Sequence, residues 1–171
     1  MLSEGLTIDG KKLAPYDNAR KWAETDKAER SALKQNYKDA GIALMVSAFG
    51  ATGEEEFQDY TPMAVPAVEV AQALAKFVKD NDLDGATAAE SPQSDFHTEL
   101  RKQLPSPYII SHAPLAPWFE KAFGSCYVEI AKAVDDSVNF YNVHTLQGGT
   151  SLAEISTKAN ISPDKLVSAS L

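Results

Sequence analysis

Asp82-Leu83-Asp84-Gly85-Ala86-Thr87-Ala88-Ala89-Glu90-Ser91 is the stretch whose reading decides the fold. It follows a long amphipathic pattern that ends in a polar corner at Lys79-Asp80-Asn81, and a second helical pattern begins just after it. That is the position of a strand in a β/α repeat.

On its N-terminal side, Val65 to Lys79 repeats Val70, Leu74, Phe77 and Val78 at helical spacing, with Ala67, Ala71 and Ala75 as a close-packing edge. Before that, Ile42 to Gly50 is a nearly continuous apolar run ended by glycine, the pattern of a strand buried on both faces of a parallel sheet. A helix predicted from about Asp26 to Lys38 precedes it, with Leu33 and Tyr37 on one face and Gly41 as its stop. Residues 1–25 carry no clear periodicity and read as an irregular arm.

On the C-terminal side, the pattern predicts a helix over Ser94 to Leu104, closed by Pro105 and Pro107, and a strand over Tyr108 to Ala113. A helix over Tyr127 to Val134, a strand over Val138 to His144, a helix over Ser151 to Lys158 capped by Thr150, and a strand over Lys165 to Ser168 follow. Five strands alternate with helices and no hairpin signal falls between them. The expectation is a single α/β domain with a parallel sheet joined by right-handed crossovers.

Composition narrows the function classes. The 171 residues carry a net charge of −8, which argues against nucleic-acid backbones and anionic membrane surfaces as partners. No apolar run approaches the roughly 18 residues of a membrane span. The single cysteine, Cys126, excludes an intrachain disulfide and a cysteine-based zinc site. His97, His112 and His144 are not at metal-ligand spacing and no cofactor is implied. The start Met1-Leu2-Ser3-Glu4 lacks a basic segment and an apolar core, so no export signal is read there.

Ala40 to Gly50, then Asp82-Leu83-Asp84-Gly85, then His112 to Phe119, then Phe140-Tyr141-Asn142-Val143 together resemble the fungal branch of family 18 glycoside hydrolases, the chitinases and endo-β-N-acetylglucosaminidases. The resemblance runs in order from about Asp26 to Val167. It implies a (β/α)8 barrel with the site at the C-terminal ends of its strands, of which the five strands here correspond to the third to the seventh, an incomplete barrel. A closed barrel of this type takes roughly 250 residues. Five strands cut from such a barrel leave two open edges and an apolar inner face, which a homodimer or the N-terminal arm is expected to cover.

In that family the fourth strand carries D-x-x-D-x-D-x-E, and the spacing has a physical cause. Alternate side chains along a strand share one face, so the last two Asp and the Glu point together into the barrel. The Glu protonates the leaving oxygen, and the Asp beside it orients the substrate's own acetamido group, which serves as nucleophile. In this sequence the first Asp is Asp84, but the later positions hold Thr87, Ala89 and Ser91. Glu90 falls one residue early, on the opposite face of the strand, and acts as an acid only if the register shifts. The tyrosine that holds the acetamido group in the family falls on Leu146.

The resemblance therefore implies a chitinase-like protein without hydrolytic activity that retains binding of N-acetylglucosamine-containing glycan. Phe49, Asp84, His112, Trp118 and Tyr141 are the candidate ligand-binding residues. Two other readings stay open at this point: an active glycosidase that uses Glu90, and a structural or interaction protein with no sugar site.

Overall fold

The computed structural model describes residues 6–8, 11–13, 17–48, 66–88, 94–121, 126–144 and 150–169. Phe49, the acidic run Glu54-Glu55-Glu56, Ala89, Glu90, Ser91, Leu146 and the Gly148-Gly149 pair lie outside the described residues.

The chain begins with an antiparallel hairpin, β1 (Leu6–Ile8) and β2 (Lys11–Leu13), followed by α1 (Asp17–Glu24) and α2 (Lys27–Asp39). Within residues 1–25, read as an irregular arm, the described residues 6–8, 11–13 and 17–24 are thus regular structure. The missed signal is Asp9-Gly10, a dipeptide suited to a two-residue hairpin connection, and α1 was too short to show a period. From there the order is β3 (Met45–Ala48), α3 (Ala67–Asp80), β4 (Gly85–Ala88), α4 (Ser94–Gln103), β5 (Ile109–His112), α5 (Cys126–Val134), β6 (Phe140–His144), α6 (Leu152–Ala159) and β7 (Leu166–Ala169). A short 3-10 helix, Ala116–Phe119, lies between β5 and α5.

β3 to β7 form one sheet in sequential order, every pair parallel. The core lies between this sheet and the helices. Val70, Ala71, Leu74, Ala75 and Val78 of α3, and Phe96 and Leu100 of α4, pack beneath Ala86, Ala88 and Ile110. Of the alanine edge of α3, Ala71 and Ala75 are fully buried and Ala67 partly so, as close helix packing requires.

Of Ile42 to Gly50, read as a strand buried on both faces, the described strand is Met45–Ala48, which among the described residues has one neighbour, with Ser47 exposed and Ile42 outside it. An apolar run alone does not reveal whether a strand has one neighbour or two. The helix before it ends as its glycine predicts. Gly41 has φ +73°, the Gly41 N–H donates to Lys38 O (2.9 Å), and the Ile42 N–H donates to Tyr37 O (2.8 Å), a Schellman closure. Asp82, at φ 53°, closes α3 in the same way, with the Leu83 N–H donating to Val78 O.

Two side chains extend the parallel ladder at the N-terminal ends of the strands. The Asp84 N–H donates to Leu44 O (2.7 Å), and the Leu44 N–H donates back to Asp84 Oδ2 (2.7 Å). Asn139 repeats this against β5: its N–H donates to Ile110 O (2.7 Å), and the Ile110 N–H donates to Asn139 Oδ1 (2.8 Å). Each receives a cation from the helix before the preceding strand or from the helix leading into it. Lys34 Nζ lies 3.2 Å from Asp84 Oδ1, and Arg101 Nη2 donates to Asn139 Oδ1 at 2.5 Å. Arg101 also donates to the carbonyls of Leu104, Tyr108 and Ser137, so its guanidinium is satisfied by four neutral oxygens, and burial lowers its pKa.

Gly85 follows from this close approach. A Cβ built on it would stand 1.9 Å from Ile109 O, a backbone atom that cannot swing away. Gly85→Ala is expected to destabilise the fold by about 1–3 kcal/mol, measured as a lower urea midpoint with an unchanged slope. Between α3 and α4, hydrogen bonds from Gln72, Gln103 and Lys102 hold the Glu99 carboxyl below its ordinary 4.5. A lowered folded-state pKa contributes stability above the unfolded value that is lost as pH falls through the folded one. Glu99→Gln is therefore expected to flatten the acid limb of the stability–pH curve, followed by denaturation between pH 6 and pH 3, roughly the carboxylate range.

Candidate functional site

Strand alternation sorts the side chains of the sheet onto two surfaces. Ala86, Ala88, Ile110, His112, Tyr141 and Val143 are fully buried beneath the helices. On the opposite, inner face, Ser47, Thr87, Ser111 and Phe140 stand in one row across four strands. The hydroxyls of Thr87 and Ser111 hydrogen-bond at 2.7 Å, which fixes both on this face. Toward the C-terminal ends, the same face carries Asn142 and His144 from β6, both partly buried, and Val167 from β7, exposed. The inner face is thus mixed and hydroxyl-bearing, not the apolar surface expected, because small polar residues occupy its central row.

The sequence-derived candidates do not converge there. His112 lies on the helix side, with its ring stacked on Tyr127 at 5.2 Å and its Nε2 3.1 Å from the Tyr127 hydroxyl. His97 of α4 meets it edge-to-face at 4.6 Å, so two histidines that are isolated in sequence share one buried aromatic cluster. Tyr141 is also on the helix side. Burial, reinforced by the negative charge of Asp135, pushes its phenol well above the usual tyrosine range. Trp118 is partly buried on the 3-10 helix, 5.8 Å from the Tyr127 ring. Asp84 stands at the N-terminal end of β4, the rim opposite the one where the resemblance places a ligand, and serves the strand clamp. Phe49 and Glu90 lie outside the described residues.

Asn142 is an inner-face residue that sequence reasoning passed over as a ligand group, whereas His144 is read from sequence as a polar group near a strand's C-terminal end. The signal was available: they alternate with the helix-facing Tyr141 and Val143. At the same rim, the Thr150 hydroxyl donates to Glu120 Oε1 at 2.7 Å and does not cap α6. The cap is Ser151, in a reciprocal capping box with Glu154. Among the described residues, no group of three or more His, Cys, Asp or Glu is placed to hold a metal ion, and no helix is long and apolar enough to cross a membrane.

Parallel strands in sequential order, each joined to the next through a helix, with those helices side by side on one surface, define a protein of the (β/α)-barrel class. Among the described residues the sheet does not close. No family model and no curated protein matches the sequence. Among solved structures, the chain is similar to a GH18 chitinase from Pseudoalteromonas aurantia, with a TM-score of 0.67 and 25% identity over 85% of this chain. The match takes in 61% of that chitinase. The fold is therefore like that of a family 18 chitinase.

The Asp84 clamp generates a graded expectation. Asp84→Ala leaves the Leu44 N–H without its acceptor and Lys34 without one carboxylate, and is expected to cost about 1–3 kcal/mol. Asp84→Asn keeps the acceptor and loses only the charge, so it should cost less. Burial lowers the Lys34 pKa, but hydrogen bonds and charge from Asp82 and Asp84 outweigh it, and the net shift is upward. A raised lysine pKa contributes stability that is complete below the unfolded value and lost as pH rises through the folded one. The difference between wild type and Lys34→Met should therefore shrink in alkaline solution, as read by urea unfolding above pH 10, roughly the lysine range.

Proposed function

We propose that this chain is a chitinase-like protein without glycosidase activity, whose inner face binds N-acetylglucosamine-containing glycan. The observation that supports the first half is the inward facing of Thr87, which sets the register of the strand. The Thr87 hydroxyl stands on the inner face, 2.7 Å from Ser111, at the position where the family motif needs its first inward carboxylate. An N-acetyl-assisted hydrolysis requires one carboxyl to protonate the leaving oxygen and another to orient the acetamido group. In the register that the Thr87 pairing supports, the positions of those two carboxyls hold Ser91 and Ala89, and neither side chain can do this work.

Support for the second half comes from the chemistry of the face. Ser47, Thr87, Ser111, Asn142 and His144 offer hydroxyl, amide and imidazole groups, with Phe140 as an apolar neighbour. Such a surface suits a neutral polyhydroxylated ligand, and the net charge of −8 disfavours an anionic one. His112 and Tyr141, buried behind the sheet, have no part in this reading.

The expected outcome with a chromogenic chitobioside is no turnover at any pH between 4 and 8, roughly the range in which carboxyl acids work. Turnover that disappears in Glu90→Gln would replace this reading with an active glycosidase. On chitin beads the wild-type protein is expected to be retained, and Asn142→Ala or His144→Ala to weaken retention by about tenfold, the value of one lost hydrogen bond. Passage of the wild type through the beads, with no retention of soluble N-acetylglucosamine oligomers in a glycan array, would leave a structural or interaction protein.

A further inference from the structure

We propose that the cleft between the first half of α2 and the end of α3 binds a phosphate monoester, at a site separate from the inner face of the sheet. The cleft has a volume of about 250 Å³ and is lined by Lys27, Arg30 and Ser31 of α2 and by Lys79, Asp80 and Asp82 at the end of α3. Nothing in it depends on the glycan reading.

The charges single this cleft out. Both of its carboxylates are engaged by lysines that do not line it: Asp80 pairs with Lys76, and Asp82 with Lys34 at 2.9 Å. Lys27, Arg30 and Lys79 have no carboxylate partner among the described residues. Three uncompensated cations thus share one cleft on a protein whose net charge is −8. An anion between them relieves their mutual repulsion. Lys79, in the last turn of α3, also suits the negative end of that helix, but Lys27 is the first residue of α2, where a cation opposes the helix dipole. The dipole that disfavours Lys27 favours an anion held beside it.

Arg30 is held in place before any ligand arrives. Asn81 is fully buried, its Nδ2 donates to Phe77 O at 2.9 Å, and its carbonyl oxygen accepts the Trp22 Nε1–H at 2.9 Å. Arg30 Nη1 donates to the Asn81 Oδ1 at 2.7 Å. A guanidinium carries five N–H donors in a planar fork. One is used on Asn81, and the others have no acceptor among the described residues. A fork fixed in this way matches two oxygens of one phosphate group and has little rotamer freedom left to lose on binding. A tether between α2 and α3 needs a single N–H from Arg30 and no lysine on either wall.

The rest of the lining sets the class of ligand. Carboxylate oxygens accept from hydroxyl groups and repel a second anionic group. Asp80 and Asp82 therefore suit the hydroxylated part of a sugar phosphate whose phosphate lies on Lys27, Arg30 and Lys79.

Isothermal titration at constant ionic strength tests the inference, with inorganic phosphate, glucose 6-phosphate and glucose as probes. Inorganic phosphate is expected to bind with a dissociation constant on the order of millimolar, glucose 6-phosphate about tenfold more tightly, and glucose not at all. Lys27→Met combined with Lys79→Met changes two exposed side chains that make no hydrogen bond or ion pair among the described residues. The urea midpoint should be unchanged, while phosphate affinity falls by roughly tenfold or more. Arg30→Lys keeps the charge and loses the fork, and should weaken phosphate by about tenfold as well. No response to phosphate beyond that of sodium chloride overturns the proposal. So does phosphate binding that the lysine changes leave unaltered, or glucose 6-phosphate bound no better than inorganic phosphate.

Discussion

The parallel sheet depends on a clamp made by an Asx side chain at the base of a strand. A parallel ladder begins raggedly, because the first N–H of one strand has no carbonyl opposite it. Asp84 and Asn139 solve this in the same way. Each donates its own N–H to the neighbouring strand and accepts that strand's N–H on its side-chain oxygen. A cationic side chain from the helix layer, Lys34 or Arg101, then binds the clamp. The helices and the sheet are thereby locked in register at one rim, and Gly85 and the αL residue Asp82 follow from the tight approach.

That arrangement separates the two ends of the sheet by role. Charged and hydrogen-bonded groups at the N-terminal rim are committed to structure. Along the inner face the Thr87 hydroxyl pairs with Ser111, and Asn142 and His144 stand partly buried toward the other rim. Asp84 makes the point: its carboxylate is spent on the clamp. The described residues of β4 that follow it, Gly85 to Ala88, carry no charge, on a framework like that of a family 18 chitinase.

The buried cluster of His97, His112 and Tyr127 shows how one strand serves two surfaces. Ser111 faces inward to Thr87, and His112, its neighbour, stacks under α5. Aromatic contacts among Phe119, Trp118 and Tyr127 continue this packing over the end of β5. Of these side chains His112 and Trp118 are ligand candidates in sequence, and the fold buries His112 fully and Trp118 partly among aromatic neighbours.

The sequence by itself determined the alternation of strands and helices from β3 to β7, the parallel order and the fold class, because hydrophobic period, glycine stops and prolines are local signals. Only the tertiary structure decided which face each residue occupies, as for His112 and Tyr141, and that β3 has one neighbour among the described residues. It also decided that residues 6–13 form a hairpin and that Ser151, not Thr150, caps α6. The physical reason is that facing, edge position and capping are set by what packs or pairs from distant parts of the chain. A single-residue offset along a strand, invisible to composition and spacing, moves a side chain from one surface to the other.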